Sequence, residues 1–224
     1  MTSLLRRFSA IAATVLLAAT PQIASAQSWT WWSSADASGV YGNIGSTNVT
    51  FLGSYADYEN SATAPIDYWQ PNGAYTQGGL IGPTNPGLIR FRNNGGFGTI
   101  TFSAPVLNPY VAFNSVGQGG LPVTYDFLGS AFTVLSNNNA GGAYWGAGSY
   151  SSTGTVLTGN EFSGVAQFSG VYNSLSFRTS AENWHGITVG VGNTNVVPEP
   201  STYALMAVGM AGIAAFARRR RQAR

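Results

Sequence analysis

The chain contains no cysteine and no lysine, a single histidine, and only 8% charged residues in 224. The missing cysteine excludes disulfides, thiol catalysis and cysteine-held metals, so a folded domain here must be held by its apolar core alone. The lone histidine, His185, excludes a His-rich metal site and is the only base a Ser-His-Asp triad could use. No Gly-x-Ser-x-Gly turn announces a serine nucleophile. Charge is scarce and unevenly placed. Seven of the ten arginines sit at the ends, and residues 27–195 keep Arg90, Arg92 and Arg178 against seven acids, a formal −4. The +2 of the whole chain therefore misrepresents the part that folds, and nucleic acid, which needs a basic face, is excluded as a partner.

The two ends read as addresses. Arg6 and Arg7 form a positive n-region, residues 11–19 an apolar h-region, and Ala24-Ser25-Ala26 a small-x-small site. Residues 1–26 are thus expected to be a signal peptide cut after Ala26, implying the Sec translocon and signal peptidase. The paired arginines lack the preceding Ser or Thr of a twin-arginine signal, since Leu5 stands there.

At the other end, residues 196–224 carry Val197-Pro198-Glu199-Pro200, an uncharged small-residue stretch over 203–217, and a basic end over 218–224 headed by Arg218, Arg219, Arg220 and Arg221. The prolines stop any preceding strand, and Ser201 or Thr202 can cap the helix expected over 203–217. Fifteen residues at about 1.5 Å each span roughly 22 Å, short of the roughly 30 Å hydrocarbon core. Snorkelling arginines complete the span and stay cytoplasmic. Motif, helix and basic end together resemble a PEP-CTERM sorting domain. The resemblance implies a Gram-negative source, recognition by a membrane exosortase, and transient anchoring in the inner membrane before release. It further implies a cell-surface or extracellular-matrix destination and an association with exopolysaccharide or biofilm.

Between the signals, apolar residues alternate: Val49 and Phe51; Ile89 and Phe91; Val123, Tyr125 and Phe127; Phe132 and Val134; Leu175 and Phe177; Ile187, Val189 and Val191. Stretches 97–102 and 110–113 are further strand candidates. Gly/Asn clusters at 93–96, 117–120, 137–142 and 152–154 supply turns, and no amphipathic helix or fixed repeat is present. Nine to twelve short strands are predicted, forming an all-β, antiparallel, jelly-roll-like sandwich over 27–195. Residues 27–87 read as its first strands plus long loops. The stretch Glu182–Gly190 resembles the closing strand of sandwich domains found in PEP-CTERM proteins.

Candidate chemistry is sparse. Glu161 and Glu182 could form a glycosidase carboxylate pair, or be loop acids paired with Arg178. Asp57, Glu59 and Asp67, with Asn60, offer oxygen ligands to calcium, the one cofactor held open; no other metal ligand set is read. Tyr68-Trp69, Tyr144-Trp145 and Trp184 lie in or beside polar, turn-rich stretches, where an exposed indole stacks on a sugar ring; the competing reading is that they close the core. Trp69, Trp145 and Trp184 are accordingly the candidate ligand residues, and no catalytic residue is assigned. The expected function is a non-enzymatic surface or matrix protein associated with polysaccharide, the alternative a secreted glycan hydrolase. Deleting residues 203–224, or replacing Glu199, should abolish tail processing and change localisation; unaltered electrophoretic mobility and fractionation would contradict the sorting role.

Overall fold

The computed structural model describes residues 27–192, apart from Ala56 and Asn94, together with Met210. The expected signal peptide with Ala24 and Ala26, the Val197–Pro200 motif, residues 193–195 and Arg218–Arg221 lie outside the described residues, as does the helix over 203–217 save Met210. Among the described residues no helix is long and apolar enough to cross a membrane.

Fifteen strands follow one another along the described chain. They begin with β1 (Ser28–Trp29), β2 (Trp31–Asp36), β3 (Gly39–Ile44), β4 (Thr47–Gly53) and β5 (Asp57–Glu59). Then come β6 (Leu88–Phe91), β7 (Gly96–Leu107), β8 (Pro109–Val116), β9 (Val123–Asp126) and β10 (Thr133–Asn137). The last are β11 (Ser149–Thr153), β12 (Val156–Asn160), β13 (Phe162–Gln167), β14 (Val171–Thr179) and β15 (His185–Val191). They build two antiparallel sheets. One has the order β10-β13-β8-β15-β6-β5, with β1 also paired to β15; the other runs β11-β12-β9-β14-β7-β4-β3-β2. From β6 onward successive strands switch sheets, apart from the β11–β12 hairpin closed at Gly154, whose φ of +63° suits glycine. The result is an all-β sandwich wound like a jelly roll.

The sheets meet along their alternating apolar rows. Phe51, Ile100, Tyr125 and Phe177 from the eight-stranded sheet pack on Phe91, Phe113, Phe162 and Val189 from the seven-stranded one. Edge-on ring pairs lock the interface, with Phe51–Phe91 centroids 6.2 Å apart at 89° and Phe113–Tyr125 5.2 Å apart at 73°. Each such pair adds about 1 kcal/mol to the burial of its rings. In a chain without disulfides this core is the main cohesive element.

Two departures from the sequence expectation have physical causes. There are fifteen strands rather than nine to twelve, because β2 and β11 are edge strands with little burial and hence no apolar alternation to detect. And β8 and β15 are buried at every residue, which a sheet with one wet face cannot give. Leu88 and Trp29 lie against Gly186 and Gly190 of β15, and the stretch 60–87, with short 3₁₀ turns at Gly73–Tyr75 and Gln77–Gly79, covers β8. Trp69, Ala74 and Tyr75 from it pack with Leu88, Tyr110, Ala112 and Val165 of the seven-stranded sheet as a second apolar cluster.

Two buried phenols test this packing. Burial pushes both Tyr75 and Tyr125 above the ordinary 10.0. An unfolded chain would ionise them near that value while the fold keeps them neutral, so stability should fall as pH rises above about 10. Their hydroxyls differ. Tyr75 accepts a hydrogen bond from Asn114 Nδ2 at 3.0 Å. Among the described residues the Tyr125 hydroxyl has no hydrogen-bond partner, and Thr179 beside it donates to the Ser180 carbonyl at 3.2 Å. Chemical denaturation should show Tyr75→Phe losing about 1 kcal/mol and Tyr125→Phe unchanged or slightly more stable.

Candidate functional site

One end of the sandwich gathers residues from four places. Ser115 is the penultimate residue of β8, Gln118 lies in the turn after it, and Glu161 joins β12 to β13. Glu182, Asn183 and Trp184 precede β15, and Trp145 belongs to the loop between β10 and β11. These seven residues line a recess of about 100 Å³. Beside it, Tyr68 from the covering segment and Arg92 and Asn93 from the β6–β7 turn extend the cavity into an open groove of about 410 Å³ that shares Trp145, Asn183 and Trp184. The groove falls in the size range of small-ligand sites.

The recess is built on local backbone strain. Ser115 and Glu161 have φ of 54° and 56°, facing each other where the β8–β13 register shifts between Phe162 and Gly164. A bulge of this kind re-aims side chains out of the pleat. Ser115 Oγ donates to Glu161 Oε2 at 2.7 Å, and the Ser115 amide donates to Ser163 Oγ at 3.0 Å. Five non-glycine residues among those described have positive φ, and three of them, Asn93, Ser115 and Glu161, line this end. Such left-handed residues cost about 1–3 kcal/mol each and concentrate at functional sites.

Glu182 has a different task. Its side chain is 1% exposed; Oε1 accepts from the Gly117 amide at 2.6 Å and lies 2.8 Å from His185 Nδ1, while its carbonyl accepts from the Asn93 amide at 2.6 Å. One residue thus ties three turns together. Gly117 must be glycine, since its φ is +79° and a Cβ would stand 2.2 Å from the Gly159 carbonyl oxygen. His185 belongs to the core, wholly buried and stacked on Phe91 at 4.8 Å and 14°. The structure therefore brings Glu161 and Glu182 to one recess, with Ser115, Gly117 and His185 rather than Arg178 as their partners.

Four aromatic rings cap the same end. Tyr68 lies 4.9 Å from Trp184, 5.0 Å from Tyr144 and 6.5 Å from Trp145, to which it is stacked at 14°. Trp145 and Trp184 are 5.7 Å apart. Trp145 is 48% exposed. Of the three expected tryptophans, Trp145 and Trp184 meet here and Trp69 does not. It is fully buried, edge-on to Tyr75 at 5.3 Å, and offers no face to a ligand. The turn at Asp67, whose Oδ1 accepts from the Trp69 amide at 3.0 Å, sends Trp69 inward while its neighbour Tyr68 joins the surface cluster.

Two of the four residues weighed as calcium ligands, Asp57 and Glu59, meet an arginine. Arg90 binds Asp57 through Nε and Nη2 and Glu59 through Nη1. Among the described residues no group of three or more His, Asp or Glu could hold a metal.

Asn138, marked in the sequence only as one of a turn-forming run of Asn and Gly, organises the loop that presents Trp145. Its Oδ1 accepts from the Ser163 amide at 2.9 Å, and its Nδ2 donates to the carbonyls of Gly146 at 2.9 Å and Glu161 at 2.8 Å. Asn138→Ala strands three buried or half-buried backbone groups and should cost about 3 kcal/mol. Amide hydrogen exchange should then quicken through residues 138–148, and unchanged protection there would contradict this role.

Comparison with known proteins bears on the tail alone. No curated protein and no solved structure matches the chain. The PEP-CTERM protein-sorting motif matches at residues 196–221. The chain carries that sorting signal, and with it the character of an exported protein that is membrane-anchored before an exosortase processes it.

Proposed function

We propose that the sandwich is a non-enzymatic glycan-binding domain, delivered by its sorting tail to the cell surface or extracellular matrix and held there on polysaccharide. The observation that carries this reading is the cluster of Tyr68, Trp145 and Trp184, drawn from three separate loops to line one polar groove, with Tyr144 packed against Tyr68 and Trp145 beside it. Rings gathered only to seal a core would be buried, as Trp69 is. Here Tyr144 and Trp145 keep 41% and 48% of their surface in water. Indole faces stack on the apolar faces of pyranose rings, and Asn93, Asn183 and Gln118 are placed to exchange hydrogen bonds with hydroxyls.

A hydrolase reading has one observation in its favour, the convergence of Glu161 and Glu182 on a single recess. Both carboxyl groups of a glycosidase must reach the scissile bond or its attacking water. The Glu182 carboxylate is buried and held by Gly117 and His185, which supports binding over hydrolysis.

Affinity electrophoresis of the purified protein through gels containing a panel of polysaccharides should show retardation by at least one polymer and no release of reducing ends. Trp145→Ala should weaken that binding by at least tenfold, about 1.4 kcal/mol or more, as expected for an aromatic anchor. Absence of retardation on every polymer would overturn the glycan reading, and Glu161-dependent release of reducing ends would replace it with hydrolysis.

A further inference from the structure

The charge of this end is polarised along its length. Arg92 stands on the outer groove, beside Tyr68 and Asn93, whereas the recess is lined, among the described residues, by Glu161 and Glu182 and by no basic side chain. The walls common to both are the indoles of Trp145 and Trp184. A recess of about 100 Å³ holds about three water molecules' worth of volume. It suits a substituent on a sugar rather than the ring itself.

The chemistry of those walls is selective by charge. An aromatic face carries negative quadrupole density and attracts a cation. Glu161 is half-buried, and its hydrogen bond from Ser115 occupies Oε2, one of two oxygens that can accept. A carboxylate and two indoles around one small space stabilise an ammonium group and repel a carboxylate or sulfate. The acidic balance of residues 27–195, three arginines against seven acids, adds a field of the same sign.

Resting on the glycan reading above, we infer that the polysaccharide recognised carries free amino groups. The ammonium of a de-N-acetylated hexosamine enters the Glu161 recess while its ring stacks against Trp145 and Trp184. A neutral sugar can occupy the same groove through stacking and hydroxyl contacts, but without the charge contribution. An acidic sugar is disfavoured.

The test is a titration of the full protein with four hexasaccharides, at a pH where the amine is protonated and at low salt. The ligands are hexamers of glucosamine, N-acetylglucosamine, glucose and galacturonate. The glucosamine hexamer is expected to bind about tenfold tighter than the glucose hexamer, a gap that added sodium chloride narrows. The galacturonate hexamer should bind most weakly. Glu161→Gln should abolish the preference, bringing the ratio of glucosamine to glucose affinity from about tenfold to about one, with the thermal midpoint reporting that the fold is intact. The wild-type rank order and its salt dependence test the inference independently of any variant. Equal affinity for the glucosamine and glucose hexamers, or preference for the acetylated or acidic one, overturns the ammonium assignment and leaves the glycan reading standing. Binding to none of the four, with no retardation on any polymer of the panel, overturns both.

Discussion

Burial of the seven-stranded sheet on both faces is the constraint from which the rest of the architecture follows. β8 has the eight-stranded sheet on one side and the 60–87 cover on the other, while Gly186 and Gly190 of β15 lie against Leu88 and Trp29, so neither strand has a wet face. The cover is irregular, and its backbone polar groups must find partners over a sheet whose own amides are already paired. Asn114 of β8 answers part of that demand, donating Nδ2 to the Tyr68 carbonyl and to the Tyr75 hydroxyl. Holding the cover in place also fixes Tyr68 at the end of the sandwich, where it meets Trp145 and Trp184. The aromatic rim is thus tied to the device that seals the domain.

The same end depends on a few polar residues acting in place of covalent links. Glu182 joins the turns after β6 and β8 to the start of β15, and Asn138 joins the Trp145 loop to β13 and to Glu161. Hydrogen bonds to a buried carboxylate or amide are stronger than the average and costly to leave unmade. In a chain with no cysteine they give the loops the definition that disulfides supply elsewhere. Strain at Asn93, Ser115 and Glu161 is tolerated because these contacts surround it.

Much of the fold was legible in the sequence where large apolar residues alternate with polar or small ones. Val49 and Phe51, Ile89 and Phe91, Leu175 and Phe177, and the alternating stretch Ile187–Val191 all lie in strands on core rows. What escaped had no such contrast. β13 (Phe-Ser-Gly-Val-Ala-Gln) is buried on nearly every residue, and its Gly164 admits no Cβ, which would stand 2.2 Å from the Ser136 carbonyl oxygen. β2 and β11 are polar edges. At the candidate site, Glu161, Glu182, Trp145 and Trp184 stood out as residue types. Nothing in Tyr68-Trp69 tells which ring turns outward. Ser115 and Asn138 matter through a bulge and a buried amide, neither of which leaves a sequence pattern.

β15 has one more consequence. Its last residues, Gly190 and Val191, pair with Trp29 and Ser28 of β1, so the two ends of the described domain are neighbours. The aromatic groove opens at the other end of the same strand, seven residues away, roughly 20 Å at strand rise. Gly192, which follows β15 directly, therefore sits at the opposite end of that strand from the groove, beside β1. Both ends of the described domain lie together, about a strand's length from the aromatic rim, and a link made at either one leaves the rim unobstructed.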